Sequence, residues 1–232
     1  MKTPSESKHF FRRPVPLKGQ VRTASLRGLS ALTLQYSIGI NQLDVGPDYS
    51  FRELEFAVLA DGTSLPVAHG RCVLVQVRPK ADPFELLDAA AEESDEYHEL
   101  SDVIAGRCAE GLQTFDHGPV LALQYIELRR ALRGTGQGAM LGLAVLRLLC
   151  ARFRVSVVIW KPYPLQYLDH STQELRAVRG ELIEATKRLS NHYQDVWGAT
   201  RLASSGWLGW VPPFKPFSVQ ANKTRWWLGD PN

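Results

Sequence analysis

The amino-acid sequence predicts a mixed α+β fold, in which strands and helices share one hydrophobic core. The first third of the chain contains β-branched and alternating apolar runs, which are typical of strands. Past mid-chain, an extended apolar run passes through a glycine-rich loop into a helical run. A second helical pattern follows, and further short strands come after it. With 232 residues and 44% hydrophobic content, the chain is long enough to form a single domain around one core.

Three strands are expected before the first helix: Leu32–Ile38, Leu54–Leu59 and Arg71–Val77. We expect the second and third to form a hairpin with a long connection that contains the turn Asp61–Thr63. A helix should follow, because Asp82–Glu85 is a capping box with proline at the first helical position. Its apolar stripe is Phe84, Leu87, Ala91, Leu100, Val103 and Ile104.

The most informative segment is the loop Arg133–Gly138, which lies between a strand and a helix. Val120–Leu128 is mostly apolar and follows a Gly-Pro turn, so it predicts a buried strand. After the loop, apolar residues recur at spacings of three and four as far as Arg152, which predicts a helix. The loop glycines permit positive φ, and the first N–H groups of a helix lack intrahelical partners. Together with the charge of Arg133, these features predict a site for a diphosphate.

Several ligand classes use glycine-rich loops. A nucleotide P-loop is excluded, because no Lys-Ser or Lys-Thr follows Gly138. Gly134–Ala139 satisfies the relaxed dinucleotide pattern, but Ile159–Lys161 stands where a Rossmann unit needs an acidic residue for the ribose. The dinucleotide site and a glycine turn without any ligand both remain open alternatives.

The spacing Arg133-x-x-Gly136-x-Gly138 matches the signature of the GCN5-related N-acetyltransferases (GNAT), and about the last half of the chain resembles that superfamily. The resemblance implies a mixed, mostly antiparallel sheet with a central parallel strand pair that splays apart, flanked by helices. It also implies an acetyl-CoA site, with diphosphate in the loop and pantetheine along the preceding strand. The cofactor-binding residues would be Tyr125, Ile126, Leu128, Arg133, Gly134, Thr135, Gly136, Gln137, Gly138 and Ala139.

Later elements extend this resemblance. Arg154–Trp160 would be the second parallel strand, ended by two prolines. A helix should begin at the capping box Ser171–Glu174 and present Leu175, Val178, Leu182, Ala185, Leu189 and Val196 on its apolar face. Tyr193–Ala199 is similar to the family's Tyr-x-x-x-Gly-Phe ending, with Ala199 in place of the aromatic residue, so the resemblance implies that Tyr193 protonates the departing thiolate. Strands at Thr200–Ala203 and Trp207–Val211 would complete the sheet.

The first half departs from the family, which usually has two helices between its first and second strands. Acetyl transfer needs a neutral amine, whereas alkylammonium groups have a pKa near 10, so a general base is expected. Glu127 is the nearest carboxylate to the proposed thioester, although it could instead face solvent or pair with Arg129 or Arg130. A strand N–H at Ile126 or Leu128 could polarise the carbonyl. Tyr193 fits an ordinary core tyrosine equally well.

The expected function is therefore acetyl transfer from acetyl-CoA to a primary amine of a small molecule, peptide or protein. The alternative is a non-catalytic acyl-CoA-binding or interaction protein on the same fold. The aromatic end of the chain fits an acceptor pocket, core packing or a homodimer contact: Trp207, Trp210, Phe214, Phe217, Trp226 and Trp227.

Charge divides the chain into a basic arm, residues 1–30, and a single acyltransferase domain, residues 31–232. The arm has a net charge of +6 and the remainder −3. A solvated terminus is favoured over nucleic-acid binding. Asp82–Asp102 contains nine acids and no Lys or Arg, which fits an exposed helix face or attraction of a cationic amine.

The remaining composition indicates a cytoplasmic protein without a metal. No apolar stretch reaches 18 residues and the N-terminus lacks a signal-type core, so we expect neither export nor membrane insertion. The three cysteines, Cys72, Cys108 and Cys150, are too few and too scattered for a disulfide framework or a zinc site. The histidines also lack metal-ligand spacing.

Overall fold

The computed structural model describes residues 17, 19–26, 32–44, 49–62, 65–77, 98–104, 118–133, 136–164, 179–202 and 206–213. Within them the fold is mixed α+β, as predicted. The strands are β1 (Arg22–Ser25), β2 (Leu32–Asp44), β3 (Tyr49–Ala60), β4 (Pro66–Val77), β5 (Val120–Leu128), β6 (Val157–Trp160), β7 (Thr200–Arg201) and β8 (Leu208–Trp210). The helices are α1, described over residues 98–104, α2 (Gln137–Phe153) and α3 (Arg179–Trp197).

All eight strands belong to one mostly antiparallel sheet, with the order β1-β2-β3-β4-β5-β6-β8-β7. β5 and β6 form the one parallel pair among the described strands. Four residues, 45–48, separate β2 from β3, so this connection has no room for two helices. β1 lies within residues 1–30, which the charge pattern assigned to the basic arm, and pairs with β2 at the edge of the sheet.

Strands β2, β3 and β4 are longer than the sequence predicted. β3 begins at Tyr49 and β4 begins at Pro66, so the hairpin connection covers only residues 61–65 and the expected long connection is wrong. The residues added to β4 include Pro66, His69 and Gly70, which lack the apolar alternation of a typical strand. They are nevertheless paired with β3, because the ladder is set by the partner strand rather than by propensity.

The sheet separates two clusters of buried side chains. α2 and α3 cover one side, the helix face, where Leu121, Leu123 and Val158 join the main core. On the other side, the α1 face, Val103 and Ile104 join a second cluster with Val120 and other strand residues. The apolar stripe predicted for α1 is therefore buried at Leu100, Val103 and Ile104, whereas its predicted start near Asp82 lies outside the described residues.

β6 is shorter than predicted, because residues 154–156 end α2 and turn the chain. Arg154 has φ 55° at the C-cap of α2, and the Val155 N–H donates to the Cys150 carbonyl oxygen at 3.0 Å. The Ser156 N–H donates to the carbonyl oxygen of Pro119 at 2.8 Å. These residues are thus committed to the connection and are not available to the parallel ladder.

At the C-terminal end of α3, Trp197 is buried and Val196 is 44% exposed. The prediction that Val196 faces the core is therefore wrong, and Trp197 fills that position. The proposed start of this helix at Ser171, with Leu175 and Val178, lies outside the described residues, as do the aromatic residues from Phe214 onward.

Trp207 and Trp210 are buried and pack on opposite sides of the sheet. β7 and β8 are each shorter than predicted. Within the described residues, none of the helices has the length and apolar character needed to cross a bilayer.

Candidate functional site

The parallel strands β5 and β6 remain paired over only part of β5. Their register runs from Val120 opposite Val157 to Leu123 opposite Trp160, where β6 ends. β5 continues to Leu128, and its pairing with β4 shifts register around Gln124. Such a bulge bends the strand and changes the direction of its later side chains. We call the region beyond Leu123 and Trp160, where β5 is no longer paired with β6, the gap between the two strands.

The loop that follows β5 leads to the N-terminus of α2. Gly136 is the N-cap, with φ 77°, a conformation that favours glycine, and a Cβ built on it would meet nothing within 4 Å. The cap has no side-chain hydrogen bond, and the first turn of the helix contains no acidic residue. This end of α2 therefore combines the positive pole of the helix with open space in front of Gly136, which suits an anion. Gly134 and Thr135 lie outside the described residues.

Gly138 has a packing role that the sequence pattern did not reveal. A Cβ there would lie 2.3 Å from Leu128 Cδ1, so the missing side chain lets α2 approach β5 closely. One turn later, a Cβ on Gly142 would lie 2.8 Å from Trp197 Cζ2. The Trp197 Nε1–H donates to the carbonyl oxygen of Ala139 at 2.9 Å, which joins α3 to the first turn of α2.

Arg133 connects the loop with the end of β5. Its Nε–H donates to the carbonyl oxygen of Leu128 at 2.8 Å, and its Nη2 lies 3.4 Å from Glu127 Oε1. The Arg133 side chain is 40% exposed, whereas that of Glu127 is only 3% exposed. The guanidinium group thus lies between a buried carboxylate and solvent, three residues before the N-cap of α2.

Glu127 has a second charged or ionisable neighbour, His69, which lies directly opposite it on β4. His69 Nε2 is 3.5 Å from Glu127 Oε2, and both side chains are buried. The alternative that Glu127 faces solvent is therefore wrong, and its close cation is Arg133 rather than Arg129 or Arg130. The ring of Tyr125 packs edge-on against His69, with centroids 6.0 Å apart.

Tyr193 lies on the helix face, where its ring packs against Trp197 at 4.4 Å and Trp160 at 5.5 Å between centroids. Burial raises the pKa of Tyr193 to about 12. An ordinary thiol has a pKa near 8.5, which is roughly 3.5 below that of this phenol, so complete proton transfer from Tyr193 to a thiolate is unfavourable. The hydroxyl is better suited to donating a hydrogen bond than to losing its proton. Four residues separate Tyr193 from Gly198, one more than in the family's pattern.

The two catalytic candidates lie on opposite sides of the sheet. Ile126 and Leu128 pack with the helix-face core, so alternation directs Glu127 to the α1 face, where it meets His69. Tyr193 packs with the helix-face core. A reacting atom could therefore contact both groups only where β5 is no longer paired with β6, beyond Leu123 and Trp160.

Comparisons of the chain with protein-family models, with curated proteins and with solved structures find no match. The functional interpretation consequently depends on the geometry of β5, the following loop and α2.

Proposed function

We propose that the protein is an acetyl-CoA-dependent N-acetyltransferase of the GNAT type, which transfers the acetyl group to a primary amine by direct attack on the thioester. The observation that carries the proposal is the arrangement of Arg133 and Gly136 at the uncapped N-terminus of α2, directly after a strand that extends beyond its pairing with its parallel neighbour. The mostly antiparallel sheet with one parallel pair supports it as well, because the resemblance implies that arrangement.

On the cofactor side, the diphosphate of CoA would bind at the N-terminus of α2, opposite the open space at Gly136. Arg133 would turn from Glu127 towards the diphosphate, since phosphate is a strong bidentate partner for guanidinium. The pantetheine arm would occupy the gap beyond Leu123, alongside Ile126 and Leu128. Its thioester would then lie between the two faces of the sheet.

On the acceptor side, Glu127 would receive the proton that an alkylammonium must lose before it can attack. Its burial on the α1 face separates this base from the helix face. A backbone N–H of Ile126 or Leu128 would polarise the thioester carbonyl. Tyr193 would donate a hydrogen bond to the departing thiolate, consistent with its raised pKa.

A second candidate function is binding of acyl-CoA without catalysis. The close packing of Tyr193 against Trp160 and Trp197 favours it, because the same contacts explain a purely structural tyrosine. The dinucleotide alternative has less support, since a Rossmann unit needs a doubly wound parallel sheet and the described strands include one parallel pair.

The first experiment is calorimetric titration of the full chain with acetyl-CoA and with CoA. We expect saturable binding by the wild-type protein and loss of binding in Arg133→Glu/Gly136→Asp, which places negative charge at the anion site. Arg147→Glu is the control for the charge reversal at Arg133, because it makes the same Arg-to-Glu change at an exposed position of α2 away from its N-terminus. No binding by folded wild-type protein would refute the proposal.

A second experiment separates catalysis from binding. Wild-type protein, Glu127→Gln and Tyr193→Phe are assayed with acetyl-CoA and a panel of small-molecule, peptide and protein amines. Turnover that falls by 10²–10⁴-fold in Glu127→Gln with retained CoA binding supports the enzyme. CoA binding with no turnover on any amine supports the non-catalytic alternative.

A further inference from the structure

We propose that His69 and Glu127 form one coupled acid–base pair, and that Arg133 links the protonation of this pair to occupation of the α2 anion site by CoA. The inference rests on the proposed function, because CoA is the ligand expected to move Arg133. It assigns His69 as a positioning residue that acts through Glu127, a role that no sequence motif indicates.

The two oxygen atoms of the Glu127 carboxylate face different partners. Oε1 lies 3.4 Å from Arg133 Nη2 and Oε2 lies 3.5 Å from His69 Nε2. The three groups come from the loop, β5 and β4, and the register that places His69 opposite Glu127 is part of the β4–β5 ladder. Glu127 is therefore a bridge between the cofactor loop and a buried imidazole.

The charge of the buried Glu127 carboxylate depends on the position of Arg133. A buried carboxylate requires a compensating positive charge or hydrogen-bond donors. While Arg133 is beside Glu127, the guanidinium supplies that charge and the imidazole can remain neutral. When a diphosphate attracts Arg133, the negative charge of Glu127 is less compensated, and protonation of His69 becomes more favourable. Binding of CoA thus increases the proton affinity of the pair.

The proposed reaction transfers two protons from the acceptor nitrogen. An acceptor ammonium gives one proton to the His69–Glu127 pair and becomes a neutral amine. Attack on the thioester forms the amide bond and breaks the carbon–sulfur bond. The second nitrogen proton goes to the thiolate, which leaves as CoA thiol, and the pair returns its proton to solvent. The proton affinity of the His69–Glu127 pair would therefore be highest when the acetyl donor is bound.

Near His69 on the α1 face, the positive charge of Arg71 is paired with negative charges on β3. Arg71, two residues along β4, forms an ion pair with Glu53 and lies opposite Glu55 on β3. Tyr125 contributes its ring edge from β5. Arg71 and Glu53 lie outside the proposed CoA site, whereas Tyr125 is one of the proposed cofactor-binding residues. The Arg133→Gln variant without CoA therefore isolates the effect of the guanidinium group on His69.

The test follows the imidazole resonances of the full-length, histidine-labelled protein by NMR as a function of pH, with and without CoA. The His69 signal is identified by its loss in His69→Gln. CoA should raise the midpoint of the His69 titration by about half a pH unit or more, the effect of a charge receding by a few ångströms at an effective dielectric constant near 20. The exposed His98 is the internal control and should not shift.

Two variants give independent checks. In Arg133→Gln without CoA, the His69 midpoint should already be raised, because the competing cation is gone. In Glu127→Gln without CoA, the His69 midpoint should fall, because the neighbouring negative charge is gone. Arg133 is partly exposed, so its replacement is expected to leave the fold intact, and the NMR spectrum itself reports folding.

The outcomes separate the two proposals. Calorimetric binding of CoA without movement of the His69 midpoint overturns the coupling and leaves the proposed cofactor standing. If CoA fails to bind, the proposed function fails, and Arg133→Gln still decides the electrostatic link in the unliganded protein. An unchanged His69 midpoint in that variant overturns the coupling in either case.

Discussion

Replacement of Gly70 by alanine should destabilise the protein strongly. A Cβ at this position would lie 2.4 Å from the carbonyl oxygen of Tyr125 and 2.4 Å from Cζ of Phe56. Normal carbon contacts are about 3.5 Å, so roughly 1 Å of movement is needed on two sides. Phe56 is fully buried and the Tyr125 oxygen belongs to neighbouring β5, so neither can retreat freely. Overpacking typically costs 1–3 kcal/mol, and here we expect about 3 kcal/mol.

The assay is urea unfolding followed by circular dichroism, with thermal unfolding as a second measurement. A loss of about 3 kcal/mol corresponds to a fall in Tm of roughly 6–12 °C for a domain of this size. Gly180→Ala is the matched control, because its new methyl group meets nothing within 4 Å on α3 and should stabilise the helix by about 0.5–1 kcal/mol. A Gly70→Ala protein within about 0.5 kcal/mol of wild type would show that β4 and β5 are not packed as described.

Three further predictions concern groups around the core. The folded state raises the pKa of Tyr193 to about 12, above its unfolded value near 10. The free energy of unfolding should therefore fall as the pH rises from about 10 to about 12. In urea unfolding, Tyr193→Phe should remove this part of the decline in stability. Trp197→Phe should cost about 1 kcal/mol in the same assay, because it loses a buried hydrogen bond; an unchanged midpoint would contradict that bond. Burial raises the pKa of the Cys72 and Cys150 thiols, so in a Cys108→Ser background both should react with a disulfide reagent at pH 8 only after unfolding, and rapid native reaction would argue against their burial.

Local patterns predicted the elements on either side of the loop. β5 and α2 were evident because apolar side chains change from an extended run to a helical spacing around Gly136. The loop was also evident, because Arg133 and Gly136 are close enough in sequence to form a local motif. Element ends were less predictable: Arg154 adopts the left-handed C-cap conformation usually associated with glycine, so nothing in its identity announced the end of α2.

The side chain directions around Glu127 could not be predicted from the sequence. Leu121 and Leu123 face the helices, and strict alternation would send Glu127 to that side as well. The register shift near Gln124 reverses the alternation, so Ile126 faces the helices and Glu127 faces His69. The position of the bulge depends on pairing with β4 at Arg71 and Cys72, which lie more than fifty positions before Gln124. His69 was overlooked for that reason.

The hydrogen bond from Trp197 to Ala139 has a consequence for ligand binding. It fastens the first turn of α2 to the end of α3, and the contact of Trp197 with Gly142 holds the next turn. The N–H groups of that first turn are thereby preorganised before any anion arrives, so their ordering does not subtract from the binding free energy. An anion that bound at this end of α2 would meet N–H groups whose orientation is restrained by an indole ring on the neighbouring helix.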